Sequence, residues 1–249
     1  MNPGRPSSGT SISVVVPARN EQELLPECLA HLREQSLGGF ELIVVDSAST
    51  DRTAEVGRSR GARVVSLPDP GVGRARQAGF DAATGTIIAT TDADAVPPED
   101  WLERLVAPFR DPAVVCSFGT IRLTREGLWT DAGQAIFSGF QGLNLLLGRP
   151  LCCGANFAVR KEAFTDVGGF RRGRTCPDEG EDIRLARKLQ RKGRVVLLPR
   201  LAMTVSPRSF GRERALRYLG HSARVYVTTC WLERTEEERG RRAGGRSGG

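Results

Sequence analysis

The residues best placed to do chemistry begin with Asp92-Ala93-Asp94, directly after the apolar run Ile87-Ile88-Ala89. Two carboxylates one residue apart at the end of a buried strand can share a divalent cation with diphosphate oxygens. Mg²⁺ or Mn²⁺ takes one or two carboxylates and fills its shell with substrate oxygen and water, so this pair suffices. A second acidic cluster, Glu179-Gly180-Glu181-Asp182, opens a run continuing Ile183-Arg184-Leu185-Ala186. Carboxylates in a first helical turn complement the helix dipole. They could equally supply a general base for deprotonating a hydroxyl. Further polar residues gather in Pro17-Ala18-Arg19-Asn20-Glu21, in Asp46-Ser47-Ala48-Ser49-Thr50-Asp51 and at Arg74 and Arg76. Asp51 reads first as helix-cap chemistry. Cys153-Gly154-Ala155-Asn156-Phe157-Ala158 reads either as a lining of small residues for a sugar pocket or as a tight turn into a strand.

These residues need a frame, and hydrophobic periodicity supplies one. Apolar, β-branched strands are expected at 12–16, 42–45, 63–67 and 86–90, with helices over 21–35, from 49 and over 73–83. That alternation is the pattern of a parallel sheet with helices on its faces. Ligands of such sheets bind beyond the carboxyl ends of the strands, which is where the acidic and basic residues above fall. Several carboxylates crowded at one edge repel one another unless a cation or a donor-rich ligand sits among them. Further along, a helix is expected from Pro97-Pro98-Glu99 to about Phe109, a strand over 114–123 and a helix over 128–147. A short strand over 157–160, a helix over 181–192, a strand over 195–198 and an amphipathic helix over 211–233 follow.

A chain of 249 residues with 39% hydrophobic residues can build the core of one α/β domain. Its net charge of +7 points to phosphate-bearing or anionic partners. The arginines concentrate after Gly211, which is weak ground for nucleic acid, and none is expected as a partner. The six cysteines show no Cys-x-x-Cys spacing and read as free thiols of a reducing compartment. No signal-peptide core and no bilayer-length apolar run is visible, so a cytoplasmic chain is expected. The expected organisation is a disordered stretch over 1–10, a single domain over 11–210, an amphipathic C-terminal helix over 211–234 and a disordered basic tail over 235–249. The tail helix is expected either to lie peripherally on the inner face of a membrane or to pack on the domain with a solvated basic face.

Taken together, the motifs resemble family 2 glycosyltransferases of GT-A fold. The matching residues are Val14-Val15-Val16-Pro17-Ala18-Arg19-Asn20-Glu21, Val45-Asp46-Ser47-Ala48-Ser49-Thr50-Asp51, Gly73-Arg74-Ala75-Arg76-Gln77-Ala78-Gly79, Ala83-Thr84-Gly85, Asp92-Ala93-Asp94, Gly154-Ala155-Asn156 and Glu181-Asp182. The resemblance implies a nucleotide-diphospho-sugar transferase domain with a mostly parallel sheet, and inverting, metal-assisted transfer from a nucleoside-diphosphate sugar. It implies a carbohydrate or lipid-linked acceptor. It assigns Pro17, Arg19, Glu21, Asp46, Arg76, Asp92 and Ala93 to the nucleotide sugar, Asp94 and Asp92 to Mg²⁺ or Mn²⁺, and Asp182 to the general base. Gly154, Asn156 and Glu181 would line the acceptor or donor-sugar pocket.

The chain departs from that pattern in three ways. The usual Asp-Asp pair is Asp46-Ser47, no histidine follows the last strand in Met203-Thr204-Val205-Ser206-Pro207, and no C-terminal membrane spans are present. The first two keep a catalytically degenerate binding module open as the alternative; Asp92, Asp94 and Asp182 together speak against it. A sugar-phosphate nucleotidyltransferase or a dinucleotide-binding oxidoreductase would need glycines after the first strand, and Pro17-Ala18-Arg19-Asn20-Glu21 has none.

Overall fold

A computed structural model describes residues 10–123, 128–170, 180–205, 224 and 227–232. They fall in two compact units, Met1–Pro207 and Arg208–Gly249. The second contributes only Arg224 and a π-helical turn, Val227–Leu232, so the expected tail helix and both expected disordered ends lie almost wholly outside the described residues.

The first unit alternates β1 (Ile12–Ala18), α1 (Leu25–Arg33), β2 (Glu41–Ser47), α2 (Thr53–Ser59), β3 (Arg63–Leu67), α3 (Val72–Ala82) and β4 (Ile87–Thr90). It continues through β5 (Ala95–Val96), α4 (Trp101–Val106), a 3-10 turn (Ala107–Arg110), β6 (Val114–Leu123) and α5 (Leu128–Leu146). It closes with β7 (Phe157–Arg160), α6 (Lys161–Asp166), α7 (Glu181–Leu189) and β8 (Arg194–Val205). One sheet runs β3-β2-β1-β4-β7-β6-β8-β5. The β3-β2-β1-β4 half is parallel, β7 is antiparallel to both neighbours, β6 and β8 are parallel, and β5 pairs antiparallel to β8.

The central strands are unbroken apolar runs because both faces are covered. On β1, Val14 and Val16 join the layer holding α1 and α4, while Val15 joins the layer holding α3, α6 and α7. In the second layer Phe80 meets Phe164 and Phe170 at ring-centroid distances of 4.8 and 5.1 Å, contacts of about 1 kcal/mol each beyond burial. Gly79 lets α3 press on the sheet, since a Cβ there would stand 2.3 Å from Val15 Cγ1 and 2.9 Å from Val45 Cγ2.

Several expected boundaries move, among them α2, which starts at Thr53 rather than 49, and α7, which ends at Leu189 rather than 192. The first helix starts at Leu25 rather than at 21, because Pro26 fits only the first turn. The helix expected from Pro97 starts at Trp101: Pro98 O accepts from both Trp101 N and Gln35 Nε2, a turn rather than a helix start. The last strand runs from Arg194 to Val205, longer than the expected 195–198, because it pairs first with β6 and then with β5.

Candidate active site

Strand register brings the distant motifs to one edge. Ala18 is level with Asp46, Asp46 with Ser66, and Val15 with Thr90. Because β7 runs antiparallel to β4, Thr90 pairs with Phe157, so the segment before β7 returns to the edge that Asp92-Ala93-Asp94 leaves. Two loops at this edge clasp each other. Thr50 N donates to Asn20 Oδ1 (2.8 Å), Glu21 N to Thr53 Oγ1 (2.8 Å), and Gln22 N to Asp51 Oδ2 (3.2 Å). Asp51 also accepts from Thr53 N at 2.9 Å, a turn that orders the loop one residue before the N-cap position, Arg52, rather than the helix cap that residue type suggested.

These loops frame a cavity of ≈ 420 Å³ lined by Pro17, Ala18, Arg19, Glu21, Ser47, Gly71, Val72, Ala75, Asp92, Ala93 and Asp94. Of the residues assigned to a nucleotide sugar, Pro17, Arg19, Glu21, Asp92 and Ala93 line it, with Asp94 beside them. Burial, reinforced by the charges of Asp94, Asp51 and Asp92, pushes the Glu21 carboxyl up to about 7. Asp46 is buried outside the lining and accepts from Ser49 N at 3.2 Å, holding its own loop. Ala18, Ser47, Gly71, Val72 and Ala75 also line the cavity, although motif reading assigned them no role. Ser47 Oγ accepts from Gly71 N at 3.0 Å and so ties the start of α3 to the end of β2. Its position at a strand end was the available signal.

Arg76 stands behind the cavity, one hydrogen bond from its lining residue Asp92. It is 5% exposed and outside the cavity lining, and its guanidinium bridges two acids. Nη2 donates to Asp92 Oδ1 at 2.7 Å, and Nη1 donates to Glu181 Oε1. Burial alone would weaken its hold on a proton, but Asp92, Glu181 and Asp182 outweigh that and keep it charged. Gly154 makes the bridge sterically feasible: a Cβ there would lie 2.5 Å from Cζ, Nη1 and Nη2 of Arg76. Gly154 therefore faces the guanidinium.

Glu181 and Asp182 open α7 after Gly180, a residue at φ 65°. Burial, opposed by Arg76 and reinforced by Asp182, raises the Glu181 carboxyl. Burial also raises Asp182, against the pull of Arg76 and backbone N–H donors from Ile183 and Gly154. Asp182 keeps part of its surface open, whereas Glu181 is enclosed. Glu181 is thus held by Arg76 rather than set to line a pocket. Asn156 is a second correction. It is fully buried, Oδ1 accepts from Trp101 Nε1, and Nδ2 donates to Thr120 O and Leu201 O, all at 2.9 Å. With both ends of its amide engaged, Asn156 ties α4, β6 and β8 together and cannot face a sugar. Burial, followed by the Asp182 charge, pushes the neighbouring Cys153 thiol up to about 12, which leaves it protonated near neutrality.

Among the described residues no group of three His, Cys, Asp or Glu side chains is set to hold a metal. The donor set at the cavity is a carboxylate pair with a third acid near enough to be raised by their charge. That fits a hard cation shared with phosphate oxygen and water, and does not fit an all-protein cage. At the far side of Asp94, Ala95 and Val96 pair with Val205 and Thr204, and Met203 is buried, so the described end of the last strand adds no histidine there.

Comparison with known proteins matches this architecture. Among solved structures, the mannosyltransferase PcManGT from Pyrobaculum calidifontis, in complex with GDP-Man and Mn²⁺, superposes with a TM-score of 0.68 at 24% identity, covering 94% of this chain and 68% of that one. Glucosyl-3-phosphoglycerate synthase from Mycobacterium tuberculosis, in complex with Mn²⁺, UDP-glucose and phosphoglyceric acid, gives 0.62 at 24% identity over 94% of this chain and 88% of that one. At that identity the likeness is one of fold, and the fold is GT-A. In sequence, an uncharacterised glycosyltransferase of Mycobacterium tuberculosis is 44% identical over 100 residues, 40% of this chain and 44% of that protein. Glycosyltransferase AglE of Haloferax volcanii is 29% identical over 168 residues, 64% of this chain and 55% of that protein. The chain thus spans less than half the length of the first relative and just over half of the second. The profile of glycosyl transferase family 2 covers residues 13–168, from β1 through the strand that returns to the acidic edge, and the chain belongs to that family.

Proposed function

We propose that this chain transfers a sugar from a nucleoside diphosphate sugar to an acceptor hydroxyl, with inversion at the anomeric carbon and Asp182 as the general base. The observation that carries the proposal is the Asp92–Arg76–Glu181 bridge, which ties the acid motif of the cavity to the acid pair opening α7. The donor would lie in the cavity, with its diphosphate toward Asp92 and Asp94 and its nucleoside toward Pro17, Arg19 and Glu21. Structural neighbours solved with GDP-Man or UDP-glucose support that class of donor.

Asp182 would accept the proton of the acceptor hydroxyl as its oxygen forms a bond to the anomeric carbon. The bond from that carbon to the diphosphate breaks, and its electron pair leaves with the nucleoside diphosphate. Burial favours an Asp182 that keeps the proton it takes, while Arg76 and the Ile183 N–H, 2.8 Å from Oδ1, stabilise and aim the carboxylate beforehand. A divalent cation, when bound, supplies Lewis-acid stabilisation of the departing diphosphate, and Asp94 with Asp92 are the residues that would hold it. The acceptor is proposed only as a carbohydrate or lipid-linked hydroxyl.

Calorimetric titration of UDP and GDP, with and without Mn²⁺, tests the donor half. One nucleotide should bind in a Mn²⁺-dependent way, and Asp94→Ala should weaken it by at least about tenfold. Asp182→Asn should leave that binding intact and lower turnover by about 10²–10⁴-fold. NMR of the product should report the inverted anomer. Nucleotide binding with no product from any sugar donor would instead favour the non-catalytic module.

A further inference from the structure

The second half of α5 is inside out. Its polar side chains face inward: Ser138 is 9%, Gln141 0% and Asn144 2% exposed. Each donates to a backbone carbonyl, Ser138 Oγ to Pro199 O, Gln141 Nε2 to Leu151 O, and Asn144 Nδ2 to Phe140 O, while Gln141 Oε1 is buried without a donor among the described residues. The large apolar side chains face outward: Ile136 is 74%, Leu143 55% and Leu146 86% exposed, and Phe140 and Leu147 are also open. Residues 136, 140, 143 and 147 recur at i, i+4, i+7 and i+11, so they form one stripe along the helix. A water-facing helix has the opposite arrangement, and a contiguous exposed apolar stripe marks a docking surface.

Charge selects the occupant. No acidic residue occurs from Ala132 to Lys161, and no charge of either sign from Ala132 to Gly148, after which comes Arg149. The chain as a whole carries +7. The stripe is roughly 18 Å long and one helix wide, a narrow strip beside the ~800 Å² per partner of a standard dimer. Among the described residues no helix is long and apolar enough to cross a bilayer. We propose that the outer face of α5 lies in the interfacial layer of an anionic membrane, favoured there by its acid-free surroundings and the chain's positive charge. This surface lies on α5 of the first unit and does not depend on sugar transfer.

Flotation of the full chain with phosphatidylcholine vesicles containing phosphatidylglycerol tests this, at low salt and at salt high enough to screen the basic tail. Wild type should float under both conditions. Phe140→Gln with Leu143→Gln, both at exposed positions, should weaken high-salt partitioning by at least about tenfold. Leu146→Trp should add emission that shifts to the blue with vesicles and is quenched by brominated lipid. Failure of the wild type to float at high salt, or equal flotation of wild type and the double variant, overturns the proposal. So does a concentration-dependent dimer that the double variant abolishes while vesicles recruit nothing, since a second copy would then be the occupant.

Discussion

Arg76 is held by partners 16 and 105 residues away along the chain, and its charge is worth most because both are close and water is largely excluded. Arg76→Ala would strand Glu181 in a buried position and should cost about 3–5 kcal/mol in urea unfolding. Gly154→Ala places a methyl against the guanidinium and should cost about 1–3 kcal/mol, with a fall in turnover if the bridge aims the acids. A Gly154→Ala protein as stable as wild type would show that the contact yields without strain. This arrangement was only half legible from residue types. Gly154 and Arg76 stand in recognisable motifs, yet an arginine near phosphate chemistry reads as a ligand contact. Only the approach of α7, which brings Glu181 to the guanidinium, turns it into a bridge. Asn156 misled for the same reason: an amide among small residues looks accessible until Trp101, Thr120 and Leu201 close on it.

At the level of elements, the first four strands could be read to within about two residues at each end, because β1, β2 and β4 are buried on both faces and so are continuous apolar runs, while half-exposed β3 stands out by its paired valines. The two-residue strand β5 could not, since nothing in Ala95-Val96 distinguishes it from a loop before β8 pairs with it. Helix starts near Pro26 and Pro97-Pro98 were misjudged where apolar spacing extends past the point at which proline permits a helix. The turn after β2 carries a local conflict. Ala48 sits at φ 56°, a left-handed conformation that a Cβ disfavours, while its N–H donates to Leu67 O at 3.1 Å. Ala48→Gly should relieve it, stabilising the protein by about 1 kcal/mol net of glycine's extra unfolded-state entropy. Denaturant midpoints at constant slope would measure this, and a destabilised Ala48→Gly would mean the turn is not strained.

For the molecule as a whole, the acids at the sheet edge make stability depend on pH in a defined direction. Glu21 goes from an ordinary value of 4.5 to about 7 on folding, and burial raises Glu181 as well. Below pH 4.5 both states hold these protons, and the contribution to stability is full. Between 4.5 and about 7 the unfolded chain releases them first, so stability is lost as pH rises and levels off above the folded value. Glu41 and Asp51, held below their ordinary values by hydrogen bonds despite burial, act oppositely at the acid end. Thermal melting without ligand should therefore decline from pH 5 to pH 8, and Glu21→Gln should flatten the decline. Mn²⁺ with the bound nucleotide should offset it in wild type by neutralising the acidic edge. A decline of the same slope in Glu21→Gln would rule this residue out as a source.

A single guanidinium that grips acids from both halves of the chain also limits how family members can exchange parts. A recombinant that joins the first half of this protein to the second half of a relative inherits Arg76 and Asp92 from one parent, but Gly154 and Glu181 from the other. Crossovers between β4 and α7 are therefore compatible only when both parents agree at all four positions, whatever their overall similarity. Altering acceptor choice by grafting would have to treat those four residues as one inherited unit.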